Sequence, residues 1–341
     1  MALTDSGHDR IFIRLCVNGD AVSRRTEYLA ARGLDPESIR RRLEGAGAQA
    51  YPRALDDDLH EAAYEGVAEA IEVLVAHGAD VESSGVWETP LWTAVCRGHS
   101  DAVAALLRAG ADPWRPVVAG RSAGDIALTG PLADLFAALP GAPATDVGLL
   151  RRQAEADALV TAYDSWETYC GEGDGFAFVA GIDEDSAIRR LGLDPAGCPL
   201  ANEDEYMDVG PSLGASALWL GRPPGSAGVV VYSAISFDPG AEELWGPLSS
   251  PGPAVSIVTN MIVDTTIEVW RDGAEIRYLH SLQRPEADML PEEWLCRFYD
   301  HSPRSPRGLA RGLALATLVT GVEVTEDWLF RAPKRLVILP G

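Results

Sequence analysis

The chain has 341 residues, of which 47% are hydrophobic, and its formal net charge is −23. The length predicts two or three domains with packed cores. The charge argues against nucleic acid and against anionic membrane surfaces as main ligands, because both are bound through clustered Lys and Arg. A negative charge would suit a basic protein partner. Solubility alone also explains this charge.

The sequence shows no targeting signal. Its first twenty residues contain charges such as Asp9 and Arg10 and lack the apolar stretch of a signal peptide. No apolar run approaches the roughly 18 residues that a membrane-spanning helix needs. The five Cys are an odd number without CxxC spacing, which is typical of a reducing compartment. We therefore expect a cytoplasmic protein. Lys occurs only once, as Lys334, and this preference for Arg over Lys indicates a GC-rich bacterial genome.

Residues 1–55 predict a degenerate structural repeat followed by a helical insertion. Gly19 and Gly33 mark two helix ends, and Gly33-Leu34-Asp35 matches a motif that returns further along the chain. Terminal repeats are usually atypical because they must present a polar outer face. The helix expected at 37–43 contains Arg40-Arg41-Arg42, the densest basic stretch, which we interpret as a solvated helix face.

Residues 56–140 contain one pattern more than once. Equivalent residues recur 32 or 33 positions apart, as in Gly66 and Gly98, Asp80 and Asp112, and Ala94 and Ala127. The fullest copy begins with Glu88-Thr89-Pro90-Leu91 and ends with Gly110-Ala111-Asp112-Pro113. Thr89 is placed to cap a helix, Pro90 fits the first helical turn, and Gly98 can adopt the positive φ that ends it. Each copy therefore predicts a pair of short helices.

This pattern resembles the ankyrin repeat. The family's Thr-Pro-Leu-His-x-Ala, Gly-His, Val-x-x-Leu-Leu and Gly-Ala-Asp motifs are all matched, except that Trp92 replaces the first His. The family's period is about 33 residues. The resemblance implies an all-α solenoid over about 56–140, with the degenerate repeat before it. Its concave surface and loop tips would bind a protein partner and carry no chemistry of their own.

Residues 141–153 are rich in Pro, Gly and Ala and predict a linker. Residues 154–341 predict an α+β domain with a mainly antiparallel sheet. Strands are expected near 176–180, 217–220, 229–232, 255–259, 266–270 and 275–279, and helices near 155–168, 183–191, 308–320 and 326–330. Arg271-Asp272-Gly273 predicts a hairpin turn between the last two strands.

Three segments of this domain resemble an actinobacterial domain family with no assigned function. They are residues 176–192, the hairpin near 255–280 and residues 313–325. In that family a strand leads into Gly-Leu-Asp and a helix, which Gly181-Ile182-Asp183 resembles here. The resemblance bears on the domain boundary and supplies no catalytic residue.

The motifs that suggest chemistry are weak. Gly210-Pro211-Ser212-Leu213-Gly214 spells GxSxG, but acidic residues precede it where a nucleophile elbow needs a strand. His60-Glu61-Ala62-Ala63-Tyr64 lacks the last ligand of the zinc protease motif. The acidic triplets at 56–58, 183–185 and 203–205 hold consecutive carboxylates that point in different directions. We therefore predict no enzyme activity, no cofactor and no metal site.

The ankyrin register predicts which residues face a partner. Those that project from the first helices of two repeats are Glu61, Tyr64, Glu65, Thr93, Cys96 and Arg97. Trp87 and Trp114 fall in the tips between repeats, where an exposed Trp is favoured as a binding hot spot; packing on the neighbouring tip is the alternative. The surface would then combine two aromatic anchors with a mainly acidic floor.

The sequence therefore predicts a bacterial adaptor or regulatory protein that binds a protein partner through its ankyrin array. Two alternatives stay open. One is an immunity or antitoxin-like protein whose acidity neutralises a basic partner. The other is an enzyme with its site in the C-terminal domain.

Overall fold

The structure is a computed structural model that describes residues 29, 32–46, 52–84, 88–144, 146–168, 175–201, 217–233, 242–260, 264–280, 288–300 and 308–339. The chain divides into two compact units, residues 1–146 and 147–341. The predicted linker at 141–153 differs from what the structure shows, because residues 147–153 already belong to the first helix of the second unit.

The first unit is mainly helical. Its helices are α1 (Pro36–Ala46), α2 (Pro52–Glu65), α3 (Ala68–Ala76), α4 (Pro90–Cys96), α5 (Ser100–Arg108), α6 (Ala123–Ala127) and α7 (Ala133–Ala137). Strands β1 (Pro116–Val118) and β2 (Arg121–Ser122) pair antiparallel between α5 and α6. The expectation of an all-α solenoid therefore needs correction at this short ribbon.

The helices of the first unit stack in two rows. Helix α4 lies against α2 on one side and α6 on the other, and α3 lies between α1 and α5. Helix α1, which the sequence suggests is an insertion, thus extends the second row, and its Ile39 is fully buried. Arg40 and Arg41 on the same helix are exposed, as expected for a solvated face.

Local signals fix the helix ends in the array. Thr89 Oγ1 accepts a hydrogen bond from the backbone N–H of Trp92 at 3.3 Å, and Pro90 occupies the first turn. Gly98 ends α4 with a φ of +67°. Trp92, which stands where the ankyrin pattern has His, is fully buried, so it serves as a core residue of this repeat.

The second unit combines helices with one sheet. Its helices are α8 (Val147–Asp164), α9 (Glu184–Arg190), α10 (Glu242–Leu248), α11 (Pro291–Leu295), α12 (Gly308–Thr320) and α13 (Glu326–Arg331). Its strands are β3 (Gly175–Ala180), β4 (Leu200–Ala201), β5 (Ala217–Gly221), β6 (Gly228–Ser233), β7 (Ala254–Asn260), β8 (Asp264–Arg271), β9 (Ala274–His280) and β10 (Lys334–Ile338).

The described strands form an eight-stranded sheet in the order β4-β10-β5-β6-β3-β7-β8-β9, and all neighbours are antiparallel. This confirms the predicted antiparallel sheet. The hairpin between β8 and β9 turns at Asp272 and Gly273, whose φ values of +51° and +84° are those of a tight two-residue turn. The sequence did not predict β4 and β10.

Both faces of the sheet are covered. One face packs against α8 and α12, and Gly312 lets α12 approach so closely that a Cβ there would lie 3.1 Å from Ile267 Cδ1. The other face packs against α9 and α10, with Trp245 and Leu248 fully buried. Strand β9 is the last strand at one edge.

Candidate partner-binding surface

The predicted partner residues lie at equivalent places on two neighbouring first helices. Glu61 on α2 corresponds to Thr93 on α4, and Glu65 corresponds to Arg97 just after α4, each 32 positions later. These four side chains and that of Tyr64 are neither buried nor fully exposed. The first helices therefore present one row of half-exposed side chains.

The acidic part of this row has a counter-ion from the preceding repeat. Arg32 forms an ion pair with Glu61, and its second guanidinium nitrogen lies 3.8 Å from Glu65 Oε1. The floor is therefore less acidic than the sequence suggests. Sequence reasoning missed Arg32 because it precedes Glu61 by 29 positions, and no local spacing relates the two.

Tyr64 and Arg97 contact each other across the repeat boundary. The Arg97 guanidinium carbon lies 3.5 Å from the centroid of the Tyr64 ring. Arg97 Nε also donates to the Tyr64 carbonyl at 3.1 Å, and His99 Nε2 lies 3.1 Å from the same oxygen. This oxygen belongs to the last turn of α2, where carbonyls lack partners within the helix. The two residues thus help to hold consecutive repeats together.

Thr93 has an internal partner as well. Its Oγ1 donates to Glu88 Oε2 at 3.3 Å. Cys96, on the last turn of the same helix, is half-buried. Five of the predicted surface residues, Glu61, Tyr64, Glu65, Thr93 and Arg97, thus have partners within the first unit that orient their side chains.

Trp114 does not project as an exposed anchor. Its Nε1 donates to the Pro140 carbonyl at 2.9 Å, and its ring meets Phe136 edge-on with 6.2 Å between centroids. The ring covers Gly124 so closely that a Cβ there would overlap it. Trp114 therefore packs on α6 and α7 of the next unit, whereas the alternative that the sequence left open was packing on the neighbouring tip. Trp87 lies outside the described residues.

Charged pairs link the repeats away from this row. Arg108 on α5 lies 2.7 Å from Glu72 on α3, and Arg115 lies 2.7 Å from Glu82 between neighbouring loops. Glu82 also accepts a hydrogen bond from the backbone N–H of Asp112 at 2.6 Å. None of these contacts involves a residue of the first-helix row.

The weak chemical motifs have structural explanations where they are described. His60 Nε2 lies 3.2 Å from the Ser83 carbonyl, and burial lowers the pKa of His60. Burial also raises the pKa of the Cys296 thiol well above its usual range, which makes it a poor nucleophile. No group of three His, Cys, Asp or Glu in the described residues could hold a metal ion. Ser212 lies outside those residues.

No helix in the part of the chain that the structure describes is both long enough and apolar enough to cross a membrane.

Comparison with known proteins identifies the repeats. Residues 28–116 match the family model described as ankyrin repeats, in three copies. The match starts inside the predicted degenerate repeat and stops before the unit of α6 and α7, so the recognisable array lies closer to the N-terminus than the predicted range of 56–140. No curated protein matches the chain.

Proposed function

Because residues 28–116 carry three ankyrin repeats, we propose that this chain is an adaptor or regulatory protein that captures another protein through its first unit. Ankyrin repeats bury one side of each helix pair against their neighbours and leave the first helices available to a partner. The α+β unit would be carried to that partner. An immunity-like role would use the same surface and differ only in what is captured.

The observation that carries the proposal is the row of half-exposed side chains on α2 and α4. Its members are Glu61, Tyr64, Glu65, Thr93 and Arg97. Trp87, which the sequence predicts to lie in a tip between repeats, is kept as a proposed aromatic anchor. Trp114 is left out because it packs on the next repeat.

The two carboxylates of this row would bind a basic partner segment by exchange with Arg32. Arg32 shows that Glu61 and Glu65 together accept a guanidinium group. A partner Arg or Lys can take the place of Arg32 on the same two carboxylates, and the released Arg32 then faces solvent. Charged contacts of this kind mainly change the association rate, and an aromatic anchor supplies most of the affinity.

The test is affinity capture from lysate with the full chain as bait. We expect a protein that the wild type enriches to be captured less by Glu61→Ala plus Glu65→Ala, with a smaller difference from the wild type at high salt. The matched control is Glu69→Ala plus Asp101→Ala, which removes two exposed acids from α3 and α5 and the same formal charge. Equal capture by the two double variants would show that the first-helix row is not the partner surface.

A further inference from the structure

Glu268 on β8 is a buried carboxyl group that uses only one of its oxygens. The side chain is 2% exposed. Oε2 accepts from Ser256 Oγ at 3.0 Å and from Trp270 Nε1 at 3.2 Å. Oε1 is buried and has no hydrogen-bond partner among the residues that the structure describes. A buried acceptor without a hydrogen bond destabilises the folded state, and most buried acceptors in proteins are paired.

The same unit contains a buried carboxylate that is fully satisfied. Glu293 is 1% exposed, and its two oxygens accept from Arg277 Nε at 2.8 Å and from a terminal Arg277 nitrogen at 3.1 Å. The backbone N–H of Leu290 adds a third bond at 3.0 Å. Where this fold uses a buried carboxylate for stability, it supplies donors to both oxygens. Glu268 lacks such a partner within the described residues.

The neighbours of Glu268 on its face of the sheet favour a cation. Tyr278 pairs with Glu268 in the register of β8 and β9, and its side chain is 47% exposed. The register shift next to Trp270 places Glu275 opposite Trp270 on this face. Partial desolvation and, next, the carboxyl group of Glu268 raise the pKa of Glu275, which is an exposed residue. Two carboxyl groups and an accessible aromatic ring therefore adjoin.

His280 supplies a second open position. It pairs with Thr266, two residues along the strands from the pair of Glu268 and Tyr278 and therefore on the same face. Its Nδ1 is buried and has no hydrogen-bond partner among the described residues. A neutral imidazole nitrogen can accept a hydrogen bond. A ligand with several N–H donors on one atom could therefore engage Glu268 and His280 together.

We propose that Glu268 accepts an alkylammonium group, which reaches it over the edge strand β9 and packs its apolar stem on Tyr278. A guanidinium group suits two parallel carboxylate oxygens, but Oε2 is already occupied, and an ammonium group needs only the one open oxygen. The aromatic ring adds attraction for an organic cation. No three His, Cys, Asp or Glu side chains among the described residues, including those on this face, are placed so that they could hold a metal ion together.

The lysine of this chain does not supply the ammonium group. The only lysine in the sequence is Lys334, and its Nζ donates to the carbonyls of Trp328, Leu329 and Ala332. Two sources share the required chemistry, a small free amine and a lysine side chain of another protein. This site lies in the second unit and does not depend on the function proposed for the ankyrin array.

The test is calorimetric titration of the full chain with n-butylammonium chloride, with sodium chloride of equal ionic strength as the blank. We expect saturable binding to the wild type and at least about tenfold weaker binding to Glu268→Gln, since Gln keeps an acceptor for Ser256 and Trp270 but turns an N–H donor toward the ligand. The control Glu323→Gln, which removes an exposed acid, should bind as the wild type does. Circular dichroism checks the fold.

A surface variant keeps the test decisive if Glu268→Gln does not fold. Tyr278→Ala changes a half-exposed residue and should weaken binding at least about threefold. The peptide acetyl-Ala-Lys-Ala-amide separates the sources: tighter binding than butylammonium assigns the site to a protein lysine, and weaker or equal binding assigns it to a free amine. The proposal would be overturned if neither amine bound saturably, or if methylguanidinium bound as tightly as butylammonium. It would also be overturned if Glu268→Gln or Tyr278→Ala bound the amine with the affinity of the wild type.

Discussion

Arg97 and Tyr64 join two consecutive repeats by two interactions at once, because the guanidinium group covers the Tyr64 ring at 3.5 Å and Nε donates to the Tyr64 carbonyl at 3.1 Å. The pair connects the last turn of α2 to the next repeat. It also fixes the orientation of two residues in the proposed partner surface. Stability of the array and shape of the surface therefore depend on the same contact.

Replacing Arg97 should destabilise the first unit. Arg97→Ala loses the stacking and the hydrogen bond, which together are worth about 1–2 kcal/mol in the free energy of unfolding. Urea denaturation measures the change. Arg108→Ala is the control, because it breaks an exposed ion pair with Glu72 that is worth less than about 1 kcal/mol. Equal losses in the two variants would mean that the Arg97 contact adds nothing beyond an ordinary surface charge.

Gly66 should be the least replaceable of the helix-ending glycines in the array. Its φ is +72°, and a Cβ there would lie 2.5 Å from His99 Cγ in the next repeat. Gly110 has a φ of +98° and nothing within 4 Å of such a Cβ. Gly110→Ala then costs only the backbone strain, about 1–2 kcal/mol, and Gly66→Ala should cost more. Thermal melting of both variants tests this, and an equal shift would rule out the His99 contact as the cause.

Local sequence signals were sufficient for many element ends. Asp183 was expected to begin a helix, and its Oδ1 accepts from the N–H of Ser186 at 2.8 Å. Thr325 directly precedes the last helix expected from the sequence, at 326–330, and its Oγ1 accepts from the N–H of Trp328 at 3.3 Å. Such caps depend on residues three positions apart, so the sequence displays them directly.

Contacts between distant residues could not be predicted in the same way. Arg32 pairs with Glu61 because repeat stacking brings them together, and many other Arg residues were equally plausible partners. Strand β4 has only two residues, so its pairing with β10 depends on the sheet that surrounds it. The open oxygen of Glu268 likewise follows from packing, since the sequence shows only one acid in an apolar strand.

Trp114 should matter for stability of the last repeat. Trp114→Ala removes a large half-buried ring from Phe136 and Gly124, at a cost of about 3 kcal/mol. Trp114→Phe keeps a ring there and loses mainly the hydrogen bond to the Pro140 carbonyl, about 1 kcal/mol. Chemical denaturation ranks the two. A Trp114→Ala variant as stable as the wild type would restore this residue as a candidate binding anchor.

His60 should make the first unit less stable in mild acid. Burial lowers its pKa in the folded state below the ordinary value of 6.5, and the hydrogen bond to the Ser83 backbone, followed by Asp56 and Asp57, opposes this only in part. As pH falls from 7.5 to 5.5, the unfolded chain takes up a proton at this residue before the folded chain does, so the free energy of unfolding decreases. Denaturation at both pH values measures the loss, and His60→Gln should reduce it. An identical pH dependence in the variant would show that His60 does not cause it.

The pair of Arg277 and Glu293 should stabilise the second unit only as a pair. Arg277→Met leaves the buried Glu293 carboxylate, which is 1% exposed, without its bidentate donor, and such breaks cost about 3–5 kcal/mol. Adding Glu293→Leu removes the uncompensated charge, so the double variant should recover most of the loss. A double-mutant cycle on urea denaturation gives the coupling free energy directly. Asp288 also contacts Arg277, at 3.2 Å, but it is largely exposed, so Asp288→Asn should cost less than about 1 kcal/mol. If Arg277→Met and the double variant are equally unstable, the loss comes from packing around Arg277 and not from the charge left on Glu293.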